Sequence, residues 1–235
     1  MYDILPVLTK CPLNCYHCKI QEVTIMPNSS SSIGKKTVIT ALFAALISAG
    51  YFINIPLIGG VPVTVQDMMA MLSGLLLGPL YGSAAVLIFL ILGSIGLPVF
   101  SGKGGINIIL NGPTGGFLAG YLFGALIGGL IIYFGLGKYR KRKESSVSEN
   151  AEINKNYSPK KDIYEVLIIL SAALAATVIV FALGIIRFHL LLPNKTFREV
   201  LLITLVPFIP GNIIKIVIMT ILTKKLRPVL LNYIG

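Results

Sequence analysis

The chain has 235 residues, of which 55% are hydrophobic and only 12% are charged, and its formal net charge is +11. Soluble domains carry about 25% charged residues, so a chain this apolar has too little polar surface to cover itself in water. Its cationic residues stand in short runs beside apolar stretches, not in stripes interleaved with aromatic residues, which argues against a nucleic-acid-binding protein. The composition therefore predicts an all-α integral membrane protein.

Residues 1–34 form a polar N-terminal segment without the apolar core of a signal peptide. This segment holds all three cysteines of the chain, Cys11, Cys15 and Cys18. Their C-x3-C-x2-C spacing is typical of radical enzymes that hold an iron–sulfur cluster, but too few residues follow Cys18 before the first apolar segment to build the barrel such an enzyme needs. The segment is a remnant or non-native start with Met26 as initiator, a zinc or cluster site that also uses His17, or a disordered cytoplasmic tail. A membrane-tethered iron–sulfur enzyme is the alternative function that this motif leaves.

Six apolar segments follow, and they are predicted to cross the bilayer as helices. They cover residues 37–53, 64–77, 83–97, 117–134, 164–186 and 200–222. The first four belong to residues 35–137, and the last two belong to residues 162–235, which end in a short tail. Between them, residues 138–161 are charged and polar and are predicted to form a solvated basic linker. The whole is predicted to be one membrane domain.

Lysine and arginine residues are concentrated on one side of this six-span arrangement. That side carries Lys35, Lys36, Lys138, Arg140, Lys141, Arg142, Lys143, Lys155, Lys160, Lys161, Lys224, Lys225 and Arg227. The other side carries Lys103, Arg187, Lys195 and Arg198. Because cytoplasmic loops retain Lys and Arg, both termini and the linker are predicted to be cytoplasmic.

Residues 102–116, GKGGINIILNGPTGG, form a glycine-rich loop between the third and fourth spans. Glycines allow the backbone to approach a ligand closely, and Asn107 and Asn111 add amide donors and acceptors. Irregular backbone at membrane depth is tolerated where it lines a cavity or is buried in protein. The loop is therefore a candidate ligand-binding wall, with a plain external loop as the alternative.

The last span contains VPFIPGNIIK, in which Pro207 and Pro210 are expected to interrupt the helix. Asn212 and Lys215 follow three residues apart, on one helical face. A lysine at the bilayer centre costs about 2.5–3.5 kcal/mol on insertion scales, so a polar cavity or a partner is expected to accommodate it. The alternative is that Lys215 extends toward the cytoplasmic interface near Lys224.

Gln66 and Asp67 stand at the start of the second span. A carboxylate there is explained by the helix dipole alone, so Gln66 is the stronger site candidate. Arg187, His189 and Arg198 flank the last external connector and are predicted to form a solvated rim. No second His or Cys lies near His189, so no metal site is predicted there.

Small residues recur every four positions in the first span, at Ala41, Ala45 and Ala49. Such spacing leaves a smooth groove that a second helix can approach closely. The spacing fits a partner-subunit surface and packing within the bundle equally well.

Several blocks of this sequence resemble the BioY family of biotin-specific substrate-binding subunits (S components) of energy-coupling-factor (ECF) transporters. The matching blocks are ALFAALISAG, GVPVTVQDMMAMLSGLLLGPLYG, LGSIGLPVFSGKGG, GPTGGFLAGY and VPFIPGNIIK. The resemblance extends over residues 35–225. It implies a bundle of six helices in the cell membrane, with a ligand-binding glycine loop between helices 3 and 4.

The resemblance also implies that the protein is no enzyme and needs no cofactor. Biotin is captured from outside as the transported substrate and delivered inward with a transmembrane coupling subunit and two ATPase subunits; the alternative substrate is another small vitamin. No G-x-x-x-x-G-K-[ST] loop occurs in this chain, so ATP must be used by another chain. The ligand-binding residues implied are Gln66, Lys103, Gly104, Gly105, Asn212 and Lys215. Asn111 is added to this predicted set for the amide that it contributes to the loop. The implied partner interface is the alanine face, Ala41, Ala45 and Ala49.

Two positions depart from the pattern of that family. Asn212 stands where the family usually has Asp, and an amide can both accept and donate but lacks the charge of a carboxylate. Leu118 stands where some relatives have Arg. Lys103 is therefore expected to supply the positive charge for the carboxylate of biotin.

Overall fold

The computed structural model describes residues 29–55, 63–100, 102–148, 159–191 and 196–234, and Cys11, Cys15 and Cys18 lie outside these ranges. The α-helices in the described ranges are α1 Ser29–Ala49, α2 Gln66–Ile95, α3 Ile106–Asn111, α4 Gly115–Ser148, α5 Pro159–Leu191, α6 Phe197–Thr204 and α7 Ile209–Ile234. The two-residue strands β1 Asn54–Ile55 and β2 Val63–Thr64 pair antiparallel. Short 3-10 turns cover Gly50–Phe52 and Val206–Phe208.

Helix α2 folds back on itself at Gly78, where φ is 83° and ψ is −178°. The Ser73 hydroxyl donates to the Gly82 carbonyl at 3.1 Å, and a Cβ added at Gly82 would lie 2.5 Å from the Cα of Gly74. In a straight helix, residues eight positions apart are separated by about 12 Å along the axis. The two arms of α2 are therefore antiparallel and side by side.

The first arm covers residues 66–77 and the second covers residues 79–95. The second and third predicted spans are thus separate helical arms joined by the bend. In the described part of the chain, five continuous helical stretches are long and apolar enough to cross a membrane, with α2 counted once and the last stretch running from Phe197 to Tyr233. Counting the two arms separately, the predicted bundle of six membrane helices is confirmed.

Aromatic residues mark one end of the bundle. The Lys35 ammonium at the start of α1 lies 5.4 Å from the ring centre of Tyr233 at the end of α7. Lys36 lies 5.9 Å from the ring centre of Tyr81, just after the bend in α2. This end, called the basic end below, holds the start of α1, the bend of α2 and the end of α7.

Helices α4 and α5 pack closely along each other through small residues. Gly120 and Gly124 of α4 face Val180 of α5, and Gly128 faces Ala176. Since lipid supplies no hydrophobic drive between helices, such close van der Waals contact is a main source of helix association in a bilayer. The antiparallel register brings the start of α4 and the end of α5 to the end of the bundle opposite the basic end.

Two predicted boundaries differ from the structure. Helix α4 continues to Ser148, so the first part of the predicted basic linker is helical, and residues 149–158 lie outside the described ranges. Lys, Arg and Glu have good helix propensity, so polarity ends the apolar segment without ending the helix. Likewise α7 continues through Pro228 to Ile234, where a short tail was predicted.

Replacing Gly78 with alanine should destabilise the fold by about 1–3 kcal/mol, because this backbone conformation is essentially restricted to glycine. No atom lies within 4 Å of a Cβ added at Gly78, so the loss would come from the backbone alone. Gly137→Ala is the matched control, since its added Cβ also meets no atom within 4 Å and its backbone is helical. Melting of the two variants in detergent should show a lower midpoint for Gly78→Ala only. Equal melting midpoints for the two variants would contradict the backbone conformation of Gly78 at the bend.

Candidate functional site

A buried ion pair connects α7 with the first arm of α2. The Lys215 ammonium donates to both carboxylate oxygens of Asp67, at 2.7 and 2.8 Å, and to the backbone carbonyl of Thr64 at 2.7 Å. The side chains of Lys215 and Asp67 are only 10% and 12% exposed. Three acceptors thus surround an ammonium group that has three N–H donors.

Lys215 comes to lie beside Asp67 because the last predicted span is interrupted before α7. Helix α6 ends at Thr204, a 3-10 turn covers Val206–Phe208, and α7 begins at Ile209. Pro207 lies in this turn and Pro210 lies in the first turn of α7, where its missing N–H costs little. The predicted interruption is confirmed, and it places the start of α7 beside the start of α2.

In the first half of helix α7, two polar residues face inward while several apolar residues face outward. Asn212 and Lys215 are each 8% exposed, whereas Ile213, Ile214 and Val217 are at least half exposed. The alternative that Lys215 extends toward Lys224 is wrong, because its ammonium is held by Asp67 and Thr64 near the opposite end of the bundle. Asn212 and Lys215 therefore offer an amide and a charged amine on one buried face.

Gln66 lies next to this pair and connects it to the segment just before the glycine loop. Its Nε2 donates to the Val99 carbonyl at 2.8 Å, and its backbone is in close contact with Gly50 at the end of α1. The hydroxyl of Tyr121 on α4 lies close to the side chain of Thr64. The start of α2 is thus packed against the end of α1, against the segment that leads into the glycine loop and against α4.

The glycine loop is anchored to the end of α2. Phe100 and Lys103 exchange two backbone hydrogen bonds, and the Gly105 amide donates to the Gly93 carbonyl at 2.8 Å. Gly105 has a φ of 108°, and a Cβ added at Gly104 would lie 2.3 Å from the Gly96 carbonyl oxygen. These glycines are required by close packing of the loop onto its own helix.

The polar side chains of this loop point outward. Lys103 is exposed, and no carboxylate of the described residues lies within salt-bridge distance of it. The loop also contains the short helix α3, in which Asn107 and Asn111 are exposed. The structure therefore brings Lys215 to Asp67, the neighbour of Gln66, with Asn212 one turn earlier on the buried face of α7. It leaves Lys103 and Asn111 exposed.

Asp67 is the residue that the sequence reasoning undervalued. Its carboxylate lies in the first turn of α2, as the dipole argument expected, but it also holds Lys215. The available signal was an acidic residue and a basic residue in two different apolar spans, since each is costly in a membrane without a partner.

The predicted solvated rim is only partly present. Arg198 is exposed, but Arg187 and His189 are half-buried, and their Nε and Nδ1 atoms are enclosed. His189 packs edge-on against the ring of Phe197. Among the residues that the structure describes, no three His, Cys, Asp or Glu side chains are grouped so that they could hold a metal ion.

The fold matches that of a known membrane transport protein. The chain is similar to a solved protein described as the S-component for biotin from an ECF-type ABC transporter, with a TM-score of 0.65 and 30% identity over 86% of this chain and 95% of that one. The fold is thus that of an S component.

Sequence comparison identifies the family. The family model described as "BioY family" matches residues 25–232. "Biotin transporter BioY" of Thermotoga maritima is 33% identical over 79% of this chain and 92% of its own length. The protein of the same name from Rhodobacter capsulatus is 34% identical over 82% of this chain and 93% of its own length. The chain belongs to the BioY family.

Proposed function

We propose that this protein is the membrane subunit that captures biotin for an ECF-type transporter. The proposal is carried by one combination: the fold of a solved S-component for biotin, with Asn212 and Lys215 buried together on α7 beside Gln66. The relatives are named transporters, and the family match begins at residue 25, after Cys18. The membrane-tethered iron–sulfur enzyme is therefore set aside.

The chemistry of biotin suits these side chains. Its ureido group offers two N–H donors and one carbonyl acceptor, which an amide such as that of Asn212 can match. The Lys215 ammonium is already bonded to Asp67 and Thr64, so an acceptor on the ligand would share or replace the Thr64 contact. An apolar pocket with a few fixed polar groups is the usual form of a small-molecule site.

The exposed ammonium of Lys103 is proposed to receive the carboxylate of biotin at the mouth of the site. Leu118, at the position where some relatives have Arg, is an uncharged side chain and is buried. Gly104, Gly105 and Asn111 complete the proposed ligand wall, since they lie on the loop and short helix next to Lys103.

We further propose that the basic end of the bundle faces the cytoplasm and that the site faces outward. Lys35 and Lys36 lie at the basic end, and α4 carries its run of Lys and Arg residues beyond the apolar part of the helix. The positive-inside rule then makes the linker and both chain ends cytoplasmic. This direction suits capture of a nutrient from outside.

The remaining transporter subunits are proposed to contact the alanine face of α1. Ala41, Ala45 and Ala49 are exposed, while Phe43 and Ile47 on the other side of the helix are buried in the bundle. These alanines are therefore not used for packing within the described bundle. A transmembrane coupling subunit could approach this smooth surface closely, with two ATPases attached to it.

Purified protein should bind biotin in a calorimetric titration, and Asn212→Ala and Lys103→Ala should each weaken binding by about tenfold or more, as expected for loss of a hydrogen bond involving a polar or charged group. Asn232→Ala is the control, because Asn232 is exposed at the far end of α7. Affinities within about twofold of the unmodified protein in both variants would remove the two residues from the site. Preferential binding of another vitamin would favour the alternative substrate.

A fluorescent protein fused after Ile234 should fluoresce in cells, whereas alkaline phosphatase fused there should be inactive, because the first folds in the cytoplasm and the second requires the outside. Truncation after Lys103 with the phosphatase attached is the matched control and should be active. The reverse pattern would invert the proposed orientation.

Ala45→Trp should reduce recovery of the coupling subunit in co-purification by about tenfold, because a large side chain prevents close helix approach. Biotin binding should be unchanged, since Ala45 faces away from the bundle. Val178→Trp is the control, because Val178 is also exposed along the bundle, on α5. Equal recovery of the coupling subunit with both variants would exclude the alanine face as the contact.

A further inference from the structure

Asp67 belongs to no part of the proposed ligand set, yet it holds the one charged group buried on α7. We propose that Asp67 is a positioning residue for the ligand site, which fixes the Lys215 ammonium beside Asn212 so that ligand affinity depends on it. The inference rests on the proposed function, because it concerns the affinity of the same site.

The geometry shows how Asp67 constrains the amine. Both carboxylate oxygens lie within 2.8 Å of Lys215 Nζ, and Thr64, three residues before Asp67, contributes its carbonyl at 2.7 Å. Two adjoining parts of the same segment therefore hold the ammonium. The bond to Thr64 is the weaker kind, to an uncharged acceptor, so it is the one that a ligand acceptor can replace while Asp67 stays bound.

Lys215 needs such a constraint because its side chain is flexible. A lysine carries its charge on a four-carbon stem with many rotamers, and near a membrane it tends to extend toward the nearest polar interface. Asp67 opposes this by neutralising the charge in place. Without it, the ammonium would lose its fixed position relative to Asn212.

Asp67 itself is well placed to act as the fixed partner. It lies in the first turn of α2, next to Gln66, whose side chain donates to the Val99 carbonyl just before the glycine loop. The hydroxyl of Tyr121 on α4 lies close to Thr64. The position of the Lys215 ammonium is therefore set by the segment around the start of α2 and its neighbours, not by α7 alone.

A purely structural ion pair would give the same coordinates, so the test must separate affinity from folding. Biotin affinity by calorimetry and the melting midpoint in detergent would be measured for Asp67→Asn, Asp67→Glu, Lys215→Met and the double variant Asp67→Asn/Lys215→Met. Glu165→Gln is the matched control, since Glu165 is a partly exposed carboxylate near the start of α5, at the basic end.

Asp67→Asn should weaken biotin binding by about tenfold or more, as expected for loss of a charged hydrogen-bond partner. Asp67→Glu should restore affinity to within about threefold, because the carboxylate is retained. In the Lys215→Met background, Asp67→Asn should change affinity by less than about twofold, since a positioning residue acts only through the group that it positions. Glu165→Gln should bind as the unmodified protein does.

Two results would overturn the inference while leaving the proposed function intact. One is a lower melting midpoint for Asp67→Asn with unchanged affinity of the folded protein. The other is a double variant whose fold-loss of biotin affinity equals the product of the losses in Asp67→Asn and Lys215→Met, which would mean that the two residues act independently. If Asp67→Asn does not fold, two other measurements test the inference. Lys215→Met and the double variant should bind biotin with affinities within about twofold of each other, and Asp67→Glu should keep its affinity within about threefold of the unmodified protein. If the unmodified protein shows no biotin binding, the proposed function fails, and the inference fails with it.

Discussion

The buried contact of Lys215 with Asp67 and Thr64 is the interaction on which the arrangement of this protein depends. A charge inside a bilayer-embedded bundle is tolerated only with a close partner and satisfied hydrogen bonds, and here three acceptors surround the ammonium. The pair joins the start of α2 to the first half of α7. The starts of these two helices must therefore lie at the same end of the bundle. The proposed site is built around this meeting point.

Interrupted helices make that meeting possible, and each interruption is satisfied locally. The α2 bend places Ser73 on the Gly82 carbonyl, and the loop after α2 returns to it through the Gly105 amide. The break before α7 is bridged by a 3-10 turn in which Phe208 donates to the Leu205 carbonyl. Because no water is available at membrane depth, such breaks persist only where protein groups replace the lost hydrogen bonds. The bend of α2 lies at the basic end, whereas the loop and the break before α7 lie at the opposite end, where a ligand can use their polar backbone.

The proposed ligand binding and the proposed subunit contact use different parts of the bundle. The end with Gln66, Asn212 and the glycine loop suits a ligand that is both polar and apolar. The outer face of α1, with Ala45 at its centre, is free for another helix. Residues that pack the bundle itself, such as Ile47, are fully buried between these surfaces. Substitutions can then change biotin binding and contact with the coupling subunit separately.

The membrane environment, the number of spans, the interruption at Pro207 and the uneven distribution of charge could all be predicted from the amino-acid sequence. They follow from local composition and from residues near each other in the chain. The sequence did not distinguish a lysine that extends to the interface from one paired inside, nor a capping carboxylate at Asp67 from the partner of that lysine. These two residues are 148 positions apart, and only the packing of α7 against α2 brings them together. Likewise, the spacing of Ala41, Ala45 and Ala49 defined a smooth face, but the burial of the opposite side of α1 decided which way it points. Contacts between distant segments depend on how whole helices pack, which a local pattern cannot encode.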